Sequence, residues 1–211
     1  MIFGRHQQEL EDALNSINQI NPQEAPIGFV ADLAKEEDIQ KVFNEVDTQL
    51  PQLDVFVCNA ALAYQSISEG NYSEWQYIVN TNLLAYMACA HEAIQRMQKN
   101  GAGHIVNIGS MSADVREQGS SVYVGTKAGI QGFTEALRKE VNESGIKVTL
   151  IEPGAVGTDM QPSSSEEQRE KIEAQEMLKA EDIAMSVLYA LSQPKRSDVV
   201  VIQIRPHMQI I

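Results

Sequence analysis

Short apolar runs rich in β-branched residues alternate with helix-length amphipathic segments from one end of this chain to the other, and that alternation limits the folds open to it. The runs cover residues 1–4, 27–33, 54–58, 104–108, 147–151 and 199–204. Each is nearly continuous, the pattern of a strand covered on both faces. Between them Leu10, Leu14 and Ile17 recur at i, i+4, i+7, and Ile39, Val42, Phe43 and Val46 at i, i+3, i+4, i+7. Ile130, Phe133, Leu137 and Val141 form a third helical stripe, and Ile183, Val187 and Leu191 a fourth. Residues 75–97 are apolar around most of a helix and predict a buried one. Strand–helix–strand repetition gives right-handed crossovers and a parallel sheet with helices on both faces. The expected fold is α/β, a Rossmann-like, doubly wound, three-layer domain spanning 1–211. The one low-complexity patch, 162–165, leads into the charged run 166–171 and reads as a loop before a surface helix.

Charge excludes some partners. Sixteen Lys+Arg against 29 Asp+Glu leave a net charge of −13, the wrong sign for displacing counterions from nucleic acid or an anionic membrane. The longest apolar run, 83–90, has eight residues, where a span needs about 20. Cys58 and Cys89 are too far apart for a zinc ribbon and too few for a disulfide framework. His6, His91, His104 and His207 have no ligand spacing, so no metal is expected. The cytoplasm is the default compartment.

In open parallel sheets, ligands sit beyond the carboxyl ends of the strands. Those ends carry Arg5, Asp32, Asn59-Ala60-Ala61, Gly109-Ser110 and Pro153-Gly154. Tyr123 and Lys127, four apart, share one helical face. Ser110 lies thirteen residues before Tyr123, just past a strand. A phenol titrates near pH 10, but an ammonium about 4 Å away at an effective dielectric near 20 would favour the phenolate by roughly 4 kcal/mol, about 3 pH units. Partial burial opposes this. The balance brings Tyr123 within reach of proton transfer to a carbonyl oxygen that Ser110 holds in line. Each residue alone has an ordinary explanation. Tyr-x-x-x-Lys is a common helix-surface pair, and Asp32 and Asn82 serve equally as cap or turn residues.

The set says more. Cys58-Asn-Ala-Ala61, the Asn82 of Val79-Asn-Thr-Asn82, Asn107-Ile-Gly-Ser110, Tyr123-Val-Gly-Thr-Lys127 and Pro153-Gly-Ala-Val-Gly-Thr158 follow one another across the chain. In order and spacing this set resembles the short-chain dehydrogenase/reductase family. The resemblance implies that Tyr123 is the general acid/base and Ser110 the carbonyl orienter. It implies that Lys127 tunes the phenol and binds the nicotinamide ribose, and that Asn82 anchors a proton-relay water. Pro153, Gly154 and Val156 would hold the carboxamide, with Thr158 near the pyrophosphate. Asn59 and Ala60 would line the cofactor cleft, and Asp32 and Leu33 would meet the adenine. Arg5 ends its strand where the adenosine ribose would lie, with no acid beside it. An arginine there suits a 2′-phosphate, so NADP(H) is expected, with NAD(H) as the alternative and a solvated helix-start arginine as the plainer reading. The resemblance further implies a small carbonyl or alcohol substrate, leaving its identity open because the stretch 160–177, where the variable lid would lie, is hydrophilic. It also implies a homodimer or homotetramer built on 80–98, 123–142 and the last strand, a use that the apolar tail Ile210-Ile211 fits.

Two departures stand out. Cys58 and Ala61 replace residues of the family's usual Asn-Asn-Ala-Gly, and Ala61 adds a methyl near the cofactor path. The family also opens with a strand, a Thr-Gly-x-x-x-Gly-x-Gly turn and a helix ahead of the Arg5 strand, and none of the 13 glycines here supplies that turn. The 1–4 and 27–33 strands should then face the 54–58 strand across a gap about one strand wide. Cofactor affinity should fall by orders of magnitude without the helix N-terminus that binds the pyrophosphate. Three readings fit: an incomplete version of a longer enzyme, a short protein that slides its two-strand unit inward, or a cleft that binds something else. Retention of Ser110, Tyr123, Lys127 and Asn82 favours the first. The competing function is a cofactor-defective remnant with a structural or interaction role.

Overall fold

The computed structural model describes residues 1–64 and 66–210; Ile211 of the apolar tail lies outside the described residues. Strand β1 (Ile2–Gly4) leads into helix α1 (Gln7–Ile20), strand β2 (Gly28–Val30), helix α2 (Glu36–Gln49) and strand β3 (Val55–Cys58). Helix α3 (Tyr72–Val79) and helix α4 (Ala85–Asn100) precede strand β4 (Gly103–Ile108). A short helix α5 (Ser112–Val115) and the long helix α6 (Ser121–Val141) lead to strand β5 (Ile146–Pro153). Helix α7 (Ser165–Glu173), helix α8 (Ala180–Leu191) and strand β6 (Val201–Ile204) complete the order.

All the strand pairs are parallel, with Cys58 opposite Asn107, Ile108 opposite Ile151 and Pro153 opposite Ile204. The continuous apolar runs of β4 and β5 are buried nearly throughout, as two-sided cover requires. On one face Phe43 of α2, Ala93 and Met97 of α4 and Ile130 of α6 close over Ile105. On the other, Ile183, Val187 and Leu191 of α8 close over Val106, Ile108 and Ile151. The stripes of α2, α6 and α8 therefore face the sheet, whereas Ile17 of the first stripe is exposed, and the charged run after Ser164 forms α7, whose Ser164 and Glu167 make a reciprocal capping box.

Three differences from expectation have physical causes. The 27–33 run yields only a three-residue strand, because β2 is an edge strand and Val30 is half exposed. The 199–204 strand begins at Val201. The stretch 75–97 is two helices joined by a π turn at Asn80–Leu84, where one extra residue is accommodated around the fully buried Asn82.

The strands form two sheets, β1–β2 and β3–β4–β5–β6, with no pairing between β1 and β3. Their facing edges border a cleft of about 440 Å³ lined by Met1, Phe3, Leu33, Phe56, Tyr86 and Cys89 among others. The two-strand unit has not slid inward; the expected gap is present. Side chains hold the small sheet instead: Met1, Phe3 and Phe29 pack against the core cluster that includes Phe43 and Phe56, and Arg5 after β1 and Asp32 after β2 both meet the Tyr77 hydroxyl of α3. Arg96 of α4 grips Asp47 of α2 in a two-pronged ion pair, Nε–Oδ1 2.7 Å and Nη2–Oδ2 2.6 Å, and its guanidinium lies 4.9 Å from the Phe43 ring centre.

Candidate active site

The carboxyl ends of β3, β4 and β5 converge on one mouth. After β4 the chain turns sharply, the Gly109 N–H donating to Ile151 O at 2.7 Å. A side chain at Gly109 would press on the Leu150 side chain, which would have to give way by a few tenths of an ångström. Ser110 follows, its hydroxyl accepting the Ser112 N–H at 3.1 Å and so starting α5. Helix α6 then presents Tyr123 and Lys127 on successive turns, with the Thr126 hydroxyl donating to Tyr123 O at 2.8 Å.

Two clefts meet here. The larger, about 990 Å³, has Ser110 and Tyr123 in its wall together with Tyr64, Met111, Val115 and four carboxylates, Glu69, Glu74, Glu117 and Asp159. The smaller, about 450 Å³, contains Lys127, Asn59, Val156 and Thr158. Ser110, Tyr123, Pro153 and Gly154 line both, whereas Lys127 lines only the smaller. Asn59 also borders the cleft between the sheets, where Ala60 and Leu33 sit. Asn59 thus stands between the cleft that holds Lys127 and the one that borders β1 and Leu33.

Lys127 is 2% exposed. Its Nζ donates to Ile108 O at 3.0 Å and lies 5.6 Å from the Tyr123 ring centre and 5.8 Å from that of Tyr86. Burial pulls its ammonium down to about 8. Burial likewise pushes the Tyr123 phenol up; the Ser110 hydroxyl acts the other way, without a hydrogen bond of ordinary geometry, and the charge of Glu117 adds to the rise. This corrects the expectation that Lys127 draws the phenol toward neutral pH. Desolvation dominates both groups.

Asn82 is fully buried and committed to protein partners. Its Oδ1 accepts the Leu62 N–H at 2.8 Å, and its Nδ2 donates to Leu62 O at 2.8 Å and to Thr126 Oγ1 at 3.3 Å. The side chain thereby pins the loop after β3 to the start of α6. Asp32 is engaged too: its Oδ1 accepts the Ala34 N–H at 3.1 Å, and the Tyr77 hydroxyl lies 3.1 and 3.2 Å from its two oxygens. Arg5, at the end of β1, donates to that same hydroxyl at 2.8 Å. Sequence reasoning missed Tyr77 and Tyr86, which read as apolar members of a helix. It also missed Gln209, whose Oε1 accepts the Ala155 N–H at 3.1 Å and ties the C-terminal segment to the loop after β5.

The family model described as short chain dehydrogenase matches residues 1–169. The chain belongs to the short-chain dehydrogenase family. As a member of that oxidoreductase family it has relatives over nearly its whole length. An uncharacterized oxidoreductase of Staphylococcus aureus strain USA300 is 30% identical over 207 residues, covering 98% of this chain and 85% of the relative. Solved structures with the same fold include an alcohol dehydrogenase from the archaeon Thermococcus sibiricus complexed with 5-hydroxy-NADP, with TM-score 0.85 and 22% identity over 99% of this chain and 86% of that one. A metagenomic short-chain oxidoreductase in complex with NADP gives TM-score 0.81 at 20% identity, over 98% and 85% of the two chains. The family's Rossmann-like fold is therefore the fold of this chain.

Proposed function

We propose that this chain is an NADP(H)-dependent oxidoreductase interconverting a small carbonyl compound and its alcohol, with Tyr123 exchanging the proton. One observation carries the reading: Ser110 and Tyr123 stand where the two clefts join, with Lys127 buried behind them on one side only. A ligand in the larger cleft can present an oxygen to both hydroxyls while a second molecule occupies the smaller. The NADP bound in related folds supports a nicotinamide as that second molecule.

The residues present fit such a cofactor. Lys127, Val156 and Thr158 line the smaller cleft, and Asn59 continues it toward Ala60 and Leu33. Arg5, exposed at the end of β1 and held by Tyr77, offers a guanidinium for a 2′-phosphate. When bound, the nicotinamide supplies or accepts the hydride. The chain's own residues do the rest. Ser110 orients the substrate oxygen. Tyr123, kept protonated at neutral pH by its burial, gives its proton to that oxygen in the reducing direction. The phenolate left behind faces the Lys127 ammonium, an attraction that grows only as the proton leaves and so favours the transition state over the ground state. The four carboxylates of the larger cleft, with no Lys, Arg or His among its lining residues, favour neutral or cationic substrates over carboxylates. Self-assembly into a homodimer or homotetramer is proposed on the exposed Leu84 and Met87, on Met185, Leu188 and Tyr189 of α8, and on the free edge of β6.

The test is NADPH consumption with a panel of aldehydes and ketones. Tyr123→Phe should lower turnover by about 10²-fold or more while leaving the fold intact. Equal turnover by the variant would remove Tyr123 from the chemistry.

A further inference from the structure

The geometry points to Tyr86 as a positioning residue for Lys127: its ring and hydroxyl together hold the lysine Nζ against the Ile108 carbonyl. Tyr86 is the second residue of α4, and the π turn just before it sets its rotation, so that its side chain crosses under the end of β4. It is 2% exposed. Its hydroxyl donates to Ile108 O at 3.1 Å, and the Lys127 Nζ donates to the same oxygen at 3.0 Å. A carbonyl has two lone pairs. With one taken by the phenol, a single direction remains for the ammonium.

Lys127 needs such a holder because it has little else. Among the described residues it makes no ion pair, and its Nζ lies near two tyrosine rings, 5.8 Å from the centre of Tyr86 and 5.6 Å from that of Tyr123. An ammonium between two aromatic faces is attracted by both ring quadrupoles, most strongly where water is excluded. The ionisable groups facing Tyr86 are Cys58 of β3, Cys89 of its own helix and Tyr123 of α6, with no carboxylate among them. Burial alone displaces the Lys127 ammonium, with no charged group among the described residues acting on it, so no acidic neighbour masks the effect of the ring on the lysine. A residue serving only to fill space would not need a hydroxyl aimed at the acceptor that the lysine uses.

The catalytic consequence rests on the role of Lys127 proposed above; the placement does not, and is tested without cofactor. Lysine labelled with ¹³C at Cε reports the titration of each ammonium, and the Lys127 signal is identified by its loss in Lys127→Met. In the wild type its midpoint is expected near 8. Tyr86→Leu should lower that midpoint by about 0.4–1.5 pH units, the worth of one aromatic face. Tyr86→Phe, which keeps the face and loses only the hydroxyl on the Ile108 carbonyl, should lower it by clearly less than Tyr86→Leu does. Tyr86→Met serves if Tyr86→Leu does not fold. At saturating NADPH, kcat should fall several-fold in Tyr86→Leu with KM for the carbonyl steady, its pH profile displaced the same way, and Tyr86→Phe should recover part of the loss. Equal midpoints in a folded Tyr86→Leu or Tyr86→Met and the wild type would overturn the inference, as would a drop in Tyr86→Phe as large as theirs. The predicted shifts in a protein that turns over no carbonyl would leave Tyr86 in this role and overturn the proposed function instead.

Discussion

Lys127 keeps a charge where almost no water reaches it, and the cost of doing so is measurable. Its folded-state midpoint of about 8 lies below the ordinary 10.5 of an unfolded lysine. The unfolded chain therefore binds more protons between those two values, and its contribution makes stability rise with pH across that window. Below about pH 8 the penalty is present in full; above 10.5 it is gone. Lys127→Met should thus melt higher than the wild type at pH 7, by several degrees, with the difference shrinking as pH passes from 8 to 10.5. Thermal melts at a series of pH values check this, and a gap that widens with pH would contradict it. The positions of Ser110, Tyr123 and Lys127 were legible in the sequence, because a strand end and one helical face fix them. The electrostatic balance between them was not, since spacing carries no information about burial. Tyr77 and Tyr86 were hidden for a related reason: in an apolar helical stretch, a tyrosine that packs looks the same as one whose hydroxyl reaches a partner.

At the scale of elements, two local features position the site. The π turn at Asn80–Leu84 buries Asn82, which bonds both backbone groups of Leu62 and so fixes the loop at the mouth of β3. Asn82→Ala would strand both groups, and urea unfolding should show a loss of about 2–4 kcal/mol; a loss under about 0.5 kcal/mol would mean that the loop has other anchors. That turn was invisible beforehand because a segment apolar on nearly every side gives no phase against which an extra residue would register. The second feature is the pair of unmatched edges on β1 and β3. The gap between them was legible, since the strand order of this fold puts a strand there and no run of the sequence supplies it. That the small sheet nevertheless docks, through Phe3 and Phe29 on the core and through Arg5 and Asp32 on Tyr77, was not. Amides of Ile2–Gly4 and Val55–Cys58 should exchange with solvent about tenfold faster or more than those of β4 and β5. Equal protection in hydrogen exchange would show that the edges are covered in solution.

For the whole molecule, the proposed reaction requires that the two-sheet body form a nicotinamide site although these 211 residues include no glycine-rich turn. The cleft that holds Lys127, Val156 and Thr158 lies on the four-stranded sheet, while Arg5 and Leu33 belong to the two-stranded unit and its loop. Cofactor binding must therefore bridge the sheets, and should stiffen the joint between them. The residues proposed to meet the cofactor stand toward its two ends, and the affinity of these 211 residues for it is expected to be weak. Titration of the 211-residue chain with NADPH, followed by calorimetry and by the exchange of β1 and β3 amides, is the most direct measurement. The account predicts saturable one-to-one binding with a dissociation constant between about 10 µM and 1 mM, NADH binding about tenfold weaker, and that preference lost in Arg5→Ala. Absence of saturable binding up to about 10 mM, or equal affinity for the two cofactors in the wild type, would contradict it.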